Sequence, residues 1–272
     1  MTQEIRKAVI PAAGTGSRFY PLTRAQPKEM LPILDKPVIQ YVVEEAINSK
    51  LDEILIIVGH GKDSIINYFD RHILDETGTG FDIDDFPEIY FVRQREPLGL
   101  GDSLRYAEKF TGDDPFVVLL GDTIYSTEGE QTTTRQLIEA HRKYGKQILL
   151  LEDVPKQKIR DYGIIAGYRL EGPIWQVSDV VEKPSPEAAP STMGITGTYV
   201  LHSEIYDMLR NLSPGKNGEY QLSDALRLLA NNSGLLGYEI SGVRYDIGTK
   251  ELWVKTFYEF ARKDPRFGNL LK

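Results

Sequence analysis

The sequence predicts an α/β fold with a mixed, mostly parallel sheet flanked by helices, and two observations carry that expectation. Short apolar runs alternate with amphipathic stretches through the first 150 residues, and beyond them strand-like segments follow one another directly. The runs at 8–12, 54–58, 89–92, 116–120 and 148–151 are too short and too β-branched for helices and read as buried strands. Between them, 38–49, 63–69, 101–110 and 135–144 place apolar residues at three- and four-residue spacing, as helices do. Strand–helix alternation of this kind implies parallel strands covered on both faces. Past about residue 150, strand-like 162–169, 175–181 and 197–201 precede helices at 203–212 and 222–231, so this half reads as mixed, with antiparallel additions. A last strand pair, 236–240 and 243–245, leads into a terminal helix over 250–262.

The bulk numbers suit one large globular domain. A chain of 272 residues, 41% apolar and 26% charged, can bury a sizeable core without a linker or a repeat. The loops at 75–87 and 213–218 are the segments whose composition reads as flexible. A net charge of −8 argues against a nucleic-acid or anionic-membrane partner, since either needs a basic surface. Any anionic substrate must therefore meet locally concentrated positive charge. The absence of cysteine excludes disulfides and thiolate chemistry. His60, His72, His141 and His202 are too scattered to read as a metal site and are expected to be ordinary surface or hydrogen-bonded residues. No export signal or membrane span is visible, which fits a cytoplasmic protein. In the terminal helix, Leu252, Trp253, Phe257, Tyr258 and Phe260 read as core packing more than as a subunit contact.

The first strand runs into Pro11-Ala12-Ala13-Gly14-Thr15-Gly16-Ser17-Arg18. Small residues directly after a buried strand let backbone N–H groups approach a phosphate, although on the loop alone a plain strand-to-helix connection fits equally well. The dinucleotide fingerprint is broken, because Phe19 stands where its third glycine belongs. The P-loop is missing too, since Gly61-Lys62 is followed by Asp63. A mononucleotide held by backbone and Arg18 is the reading that remains. Ten residues on, Gln26-Pro27-Lys28-Glu29-Met30-Leu31-Pro32 sets a second basic side chain between prolines.

Taken with Asp35-Lys36-Pro37-Val38-Ile39-Gln40-Tyr41, these segments resemble the opening of the bacterial-type UTP–glucose-1-phosphate uridylyltransferases, within the sugar-phosphate nucleotidylyltransferases. The likeness continues in order through Arg93-Gln94 with Gly99-Leu100-Gly101, Leu120-Gly121-Asp122, Tyr162-Gly163, Val181-Glu182-Lys183-Pro184, Gly218-Glu219-Tyr220-Gln221-Leu222 and Tyr245-Asp246-Ile247-Gly248. It implies a Rossmann-like fold of the nucleotide-diphospho-sugar transferase type, with a nucleotide-binding half over about 1–125 and a sugar-phosphate-binding half over about 126–272. It also implies UTP and glucose 1-phosphate as substrates, a Mg²⁺ ion, and a homo-oligomer of two or four chains.

The resemblance assigns roles that the residue chemistry can support. Arg18 and Lys28 would neutralise the phosphates that leave as pyrophosphate, beside a nucleotide loop formed by Ala12, Ala13, Gly14 and Gly16. Gln94 and Gly99 correspond to the base-reading segment, and Glu29 fits the uridylyl branch more than the thymidylyl one. Asp122 and Asp246 each follow a strand and form a carboxylate pair suited to Mg²⁺, against the rival role of a helix N-cap. Gly163, Glu182 and Lys183 would hold the sugar and its phosphate, Glu182 and Lys183 being fixed at the sheet's edge; the rival reading is a plain surface ion pair. Thr198 stands where the family often carries a basic residue. Two alternatives stay open: the same chemistry with another pair, such as dTTP with glucose 1-phosphate, and a silent nucleotide-binding regulatory module.

Overall fold

The computed structural model describes residues 4–70, 86–215 and 218–271. Most of the loop expected at 75–87, together with His72 and residues 216–217 of the second loop, lies outside the described residues. In chain order the strands are β1 (Lys7–Ala12), β2 (Pro32–Ile33), β3 (Lys36–Pro37), β4 (Glu53–Val58), β5 (Glu88–Arg93), β6 (Phe116–Leu119), β7 (Thr123–Ser126), β8 (Ile148–Asp153), β9 (Gly163–Glu171), β10 (Ile174–Glu182), β11 (Met193–Leu201), β12 (Leu235–Glu239) and β13 (Val243–Asp246). The helices are α1 (Val38–Asn48), α2 (Asp63–Tyr68), α3 (Leu100–Arg105), α4 (Glu108–Thr111), α5 (Thr133–Tyr144), α6 (Glu204–Arg210), α7 (Leu222–Asn232) and α8 (Lys250–Lys263).

Among the described residues, nine strands form one sheet in the order β5-β4-β1-β6-β11-β8-β12-β10-β9. β1 is parallel to β4 and β6, and β4 to β5, which gives the expected parallel half. β11 and β10 are the strands that run against the rest. The central strands are apolar on both sides because both sides are covered. Ala8, Ile10, Ile54, Ile56, Val117 and Leu150 point into one core with α1, α2 and α5. Val9, Leu55, Ile57, Val118 and Leu149 point into the other, beneath α3, α6 and α7. Each such buried Val, Leu or Ile contributes about 1.5–3 kcal/mol relative to an exposed one.

Four expectations need correction. The helix expected over 101–110 is two pieces, α3 and α4, because Tyr106 and Ala107 bond back to Ser103 and Leu104 in tightened i→i+3 turns. The last two strands do not pair with each other. The turn at Ser241–Gly242 sends β13 out of the main sheet to pair with β7, a strand the sequence did not reveal, while β12 stays between β8 and β10. Glu182 ends β10 opposite Gly163 of β9, and β9 itself meets β11 at the next residue, so Glu182 sits at a strand end and not on the sheet's edge. The terminal helix divides its apolar residues. Trp253 and Phe260 pack onto a third core of Phe19, Leu31, Ile124, Tyr245 and Ile247, whereas Phe257 and Tyr258 are exposed.

Candidate active site

The carboxyl ends of β1 and β6 open onto a cleft of about 490 Å³, lined by Ala13, Gly14, Gly16, Arg18, Lys28, Glu29, Gln94, Gly99 and Asp122, with Glu219 and Gly248. Ala12 is the exception among the expected nucleotide residues, since its side chain is packed into the core beneath the loop. A second cavity of about 800 Å³ adjoins it and holds Gly163, Glu182, Lys183, Arg244 and Asp246. Arg18, Asp122, Glu219 and Gly248 line both. The structure thus brings the expected nucleotide residues to one side of a seam and the expected sugar-phosphate residues to the other.

The Gly-rich loop passes into a 3-10 turn at Ser17–Phe19, whose Phe19 is fully buried and so anchors the exposed Arg18 beside the seam. Lys28 lies in a similar turn and donates a very short hydrogen bond to Asp122, with only 15% of its side chain exposed. It is not a solvated surface cation. Burial works against charge on both partners, yet each is held charged. Asp122 and Glu29 raise the Lys28 ammonium, and Lys28 holds the Asp122 carboxyl below the usual carboxylate range. Beneath Lys28, Lys62 bonds Glu29 at 2.6 Å in a buried pair, and burial lowers the Lys62 ammonium despite that partner.

Asp122 is followed by β7, so it caps no helix. The β7–β13 ribbon sets Thr123 opposite Asp246, and Ile247 N–H donates to the Asp122 carbonyl at 2.9 Å. Two aspartates 124 positions apart in sequence therefore reach the same seam. Gly248 permits the approach. A Cβ there would stand 2.7 Å from Asp246 Oδ1 and 3.5 Å from Arg18 Nη1, so a side chain would separate the cation from the carboxylate. Among the described residues no group of three or more His, Asp or Glu gathers as a ready-made metal cluster.

In the second cavity, Lys183 adopts a left-handed backbone with φ 46°, a conformation that costs a non-glycine residue about 1–2 kcal/mol. Its N–H donates to the Tyr162 carbonyl at 3.0 Å, and its ammonium lies 3.0 Å from Glu182. The ion pair of the rival reading is present, but a surface pair alone would not demand a strained backbone. Thr198 is fully buried and donates to the Tyr125 hydroxyl at 3.0 Å, so its position faces the core.

A further basic residue lining this cavity is Arg244, which sequence reasoning missed although it directly precedes Tyr245-Asp246. Its guanidinium is almost wholly buried, with Glu152 at 2.8 Å, Asp246 at 3.4 Å and the Tyr162 hydroxyl at 2.8 Å. Burial opposes its charge, and Tyr162, Glu152 and Asp246 together raise its pKa above the usual arginine value. Also missed were Asp102 and the histidine pair. His141 and His202, read as unrelated, meet with their Nε2 atoms 2.8 Å apart behind the sheet, away from the cleft.

Such a seam can gather two phosphate esters, since cations stand on both sides of a carboxylate pair. Residues 7–263 match the family model described as nucleotidyl transferase. The chain is 46% identical to a UTP–glucose-1-phosphate uridylyltransferase of Bacillus subtilis, over 92% of this chain and 87% of that one. It is 41% identical to the UTP–glucose-1-phosphate uridylyltransferase of Staphylococcus haemolyticus, over 97% and 95%. Among solved structures, a UDP-glucose pyrophosphorylase complexed with UDP-glucose superposes with a TM-score of 0.90 at 36% identity, covering 96% of this chain and 100% of that one. A UTP-bound enzyme from Acinetobacter baumannii gives 0.86 at 31% identity, covering 98% and 97%.

Proposed function

The chain belongs to the nucleotidyl transferase family, and on that premise we propose that it joins UTP to glucose 1-phosphate, forming UDP-glucose and pyrophosphate. The observation that carries this reading is the seam itself, where Arg18, Asp122 and Gly248 line two cavities at once. One cavity takes the nucleotide and the other the sugar phosphate, so the reacting phosphates meet between them.

Asp122 and Asp246 fit a divalent ion of the Mg²⁺ kind. They are hard oxygen donors, brought to one seam by the β7–β13 ribbon, and substrate phosphates and water would complete the ligand set. Bound there, Mg²⁺ supplies charge neutralisation for the phosphates. The remaining work falls to the chain's own groups. Arg18 and Lys28 hold the phosphates that depart, and Lys28 keeps Asp122 ionised. Lys183, with Arg244 beside it, orients the sugar phosphate, while Glu182 and the Gly163 backbone take sugar hydroxyls. The sugar-phosphate oxygen is already an anion and attacks the α-phosphorus in line, so no general base is required. Catalysis is then positioning plus charge stabilisation. The reading places the enzyme in the cytoplasm, because both substrates are charged metabolites; no helix among the described residues is long and apolar enough to cross a membrane.

The deciding experiment is pyrophosphate release from glucose 1-phosphate with UTP, dTTP, GTP or CTP, with Mg²⁺ present and then chelated. UTP should lead and chelation should abolish turnover. Asp122→Asn should keep the fold and lose roughly 10²–10³-fold in kcat, about the effect of one lost charge-stabilising group. No release with any nucleotide would reject the reaction, and near-normal activity in Asp122→Asn would reject the carboxylate's role.

A further inference from the structure

Gln94 follows directly on β5 and is 4% exposed, with Asp102 of α3 beside it, 8% exposed. Its amide nitrogen donates to Asp102 Oδ2 at 2.8 Å and to the Gly99 carbonyl at 3.3 Å. Both groups are acceptors only, so they fix which end of the amide is nitrogen and consume both its hydrogens. Asp102 is itself steadied by Arg105, one turn along α3, at 3.7 Å. Gly99 holds the other acceptor in place. Its φ is +98°, and a Cβ would stand 2.8 Å from the Tyr220 carbonyl, so the segment is clamped against the Tyr220 backbone. The polar atom that Gln94 has left for a ligand in the cleft is its amide oxygen.

We propose that Asp102 is a positioning residue for base recognition: with the Gly99 carbonyl it locks the Gln94 amide so that only an acceptor meets the base, and the cleft selects a pyrimidine bearing an N3–H. The inference rests on the nucleotide reading of the cleft and adds a cause for its base preference. Uracil carries N3–H between two carbonyls, whereas cytosine carries a bare, accepting N3. With the ribose and phosphates fixing the ring's place, an acceptor opposite N3 bonds uracil and repels cytosine. A free amide would defeat this, because a half-turn about its last bond offers N–H to cytosine instead. The C5 methyl plays no part, so thymine passes the same test.

Calorimetric titration of UTP and CTP into the wild-type chain, Asp102→Asn, Gln94→Ala and the double variant tests the assignment, with circular dichroism confirming the fold of each. The wild type should favour UTP, and Asp102→Asn, whose carboxamide can serve either end of Gln94, should cut the UTP/CTP ratio by about tenfold, as expected for one enforced buried hydrogen bond. The double variant should lose no more selectivity than Gln94→Ala alone, since Asp102 acts through Gln94. Should Asp102→Asn not fold, Asp102→Ala is judged by the same criteria. An unchanged ratio, equal loss for both nucleotides, or additive losses would overturn the proposal. Turnover is read separately: UTP-selective binding without pyrophosphate release sinks the proposed reaction alone, and turnover with equal UTP and CTP binding sinks this inference alone.

Discussion

Lys183 combines a left-handed backbone with the cation proposed to hold the sugar phosphate. Left-handed φ at a lysine persists only where the surroundings hold it, here the hydrogen bond to Tyr162 and the end of β10 before Pro184. Charge and strain can be separated by two substitutions. Lys183→Ala removes the cation and keeps the strain, so kcat/KM for glucose 1-phosphate should fall about 10²–10³-fold while UTP affinity by calorimetry is unchanged. Lys183→Gly loses the same activity but relieves the strain, and should unfold at a denaturant midpoint worth about 1 kcal/mol above Lys183→Ala. Unchanged kinetics for the sugar phosphate in both variants would leave Glu182 and Lys183 as no more than a surface pair. The residue types at this site were legible in the sequence, but their partners were not. Lys28 and Asp122 are separated by 94 positions, as are no two residues that a local pattern can relate, and Arg244 was hidden because its strand leaves the main sheet.

Elements were legible where burial was symmetrical. Past their first residues, Lys7 and Glu53, β1 and β4 are apolar, as is all of β6, because helices cover both their faces, and α1 and α5 show a stripe because one face meets the sheet. β7 escaped notice because Thr123–Ser126 is short and polar, held by its partner β13 and not by its own pattern. β11 was read only from residue 197, although all of Met193–Leu201 is buried, since Gly194, Thr196 and Gly197 break the apolar run. α5 shows what its terminus contributes, together with the 2.6 Å hydrogen bond that Thr132 shares with the Ser49 hydroxyl. Thr132 caps it, its hydroxyl accepting from Arg135 N–H at 3.0 Å, and no α5 residue lines the cleft. Thr132→Ala should cost about 1 kcal/mol and lower the melting temperature by roughly 2–4 °C, with kcat and both KM values unchanged. Thr132→Ser should restore the loss. A melting temperature unmoved by Thr132→Ala would mean that the cap contributes nothing.

For the whole molecule, one contribution to stability in acid comes from a pair that sequence spacing concealed. His141 of α5 and His202, just before α6, face each other through their Nε2 atoms, so one donates and the other accepts only while the pair shares a single proton there. Burial, then His202 and Arg142, push His141 down to about 4, and burial lowers His202 although Glu204 opposes it. His141 Nδ1 is buried without a hydrogen-bond partner, so a proton placed there would be unpaired. The direction follows from linkage. Below pH 6.5 the unfolded chain takes up protons that the native pair refuses, so stability falls as pH drops from about 6.5 to about 4, and then ceases to fall on this account. Two carboxylates also contribute in acid: Glu45 of α1, raised by burial, acts in the opposite sense, and Asp122, lowered by Lys28, acts in the same sense further down. Comparison with His141→Gln, which keeps a polar group facing His202 but cannot titrate, cancels both. Urea midpoints of the two proteins should run parallel above pH 7.5 and converge between pH 6.5 and 4, the wild type losing stability the faster. Parallel profiles across the whole range would show that the pair's burial carries no energetic consequence, and that acid sensitivity resides in the carboxylates instead.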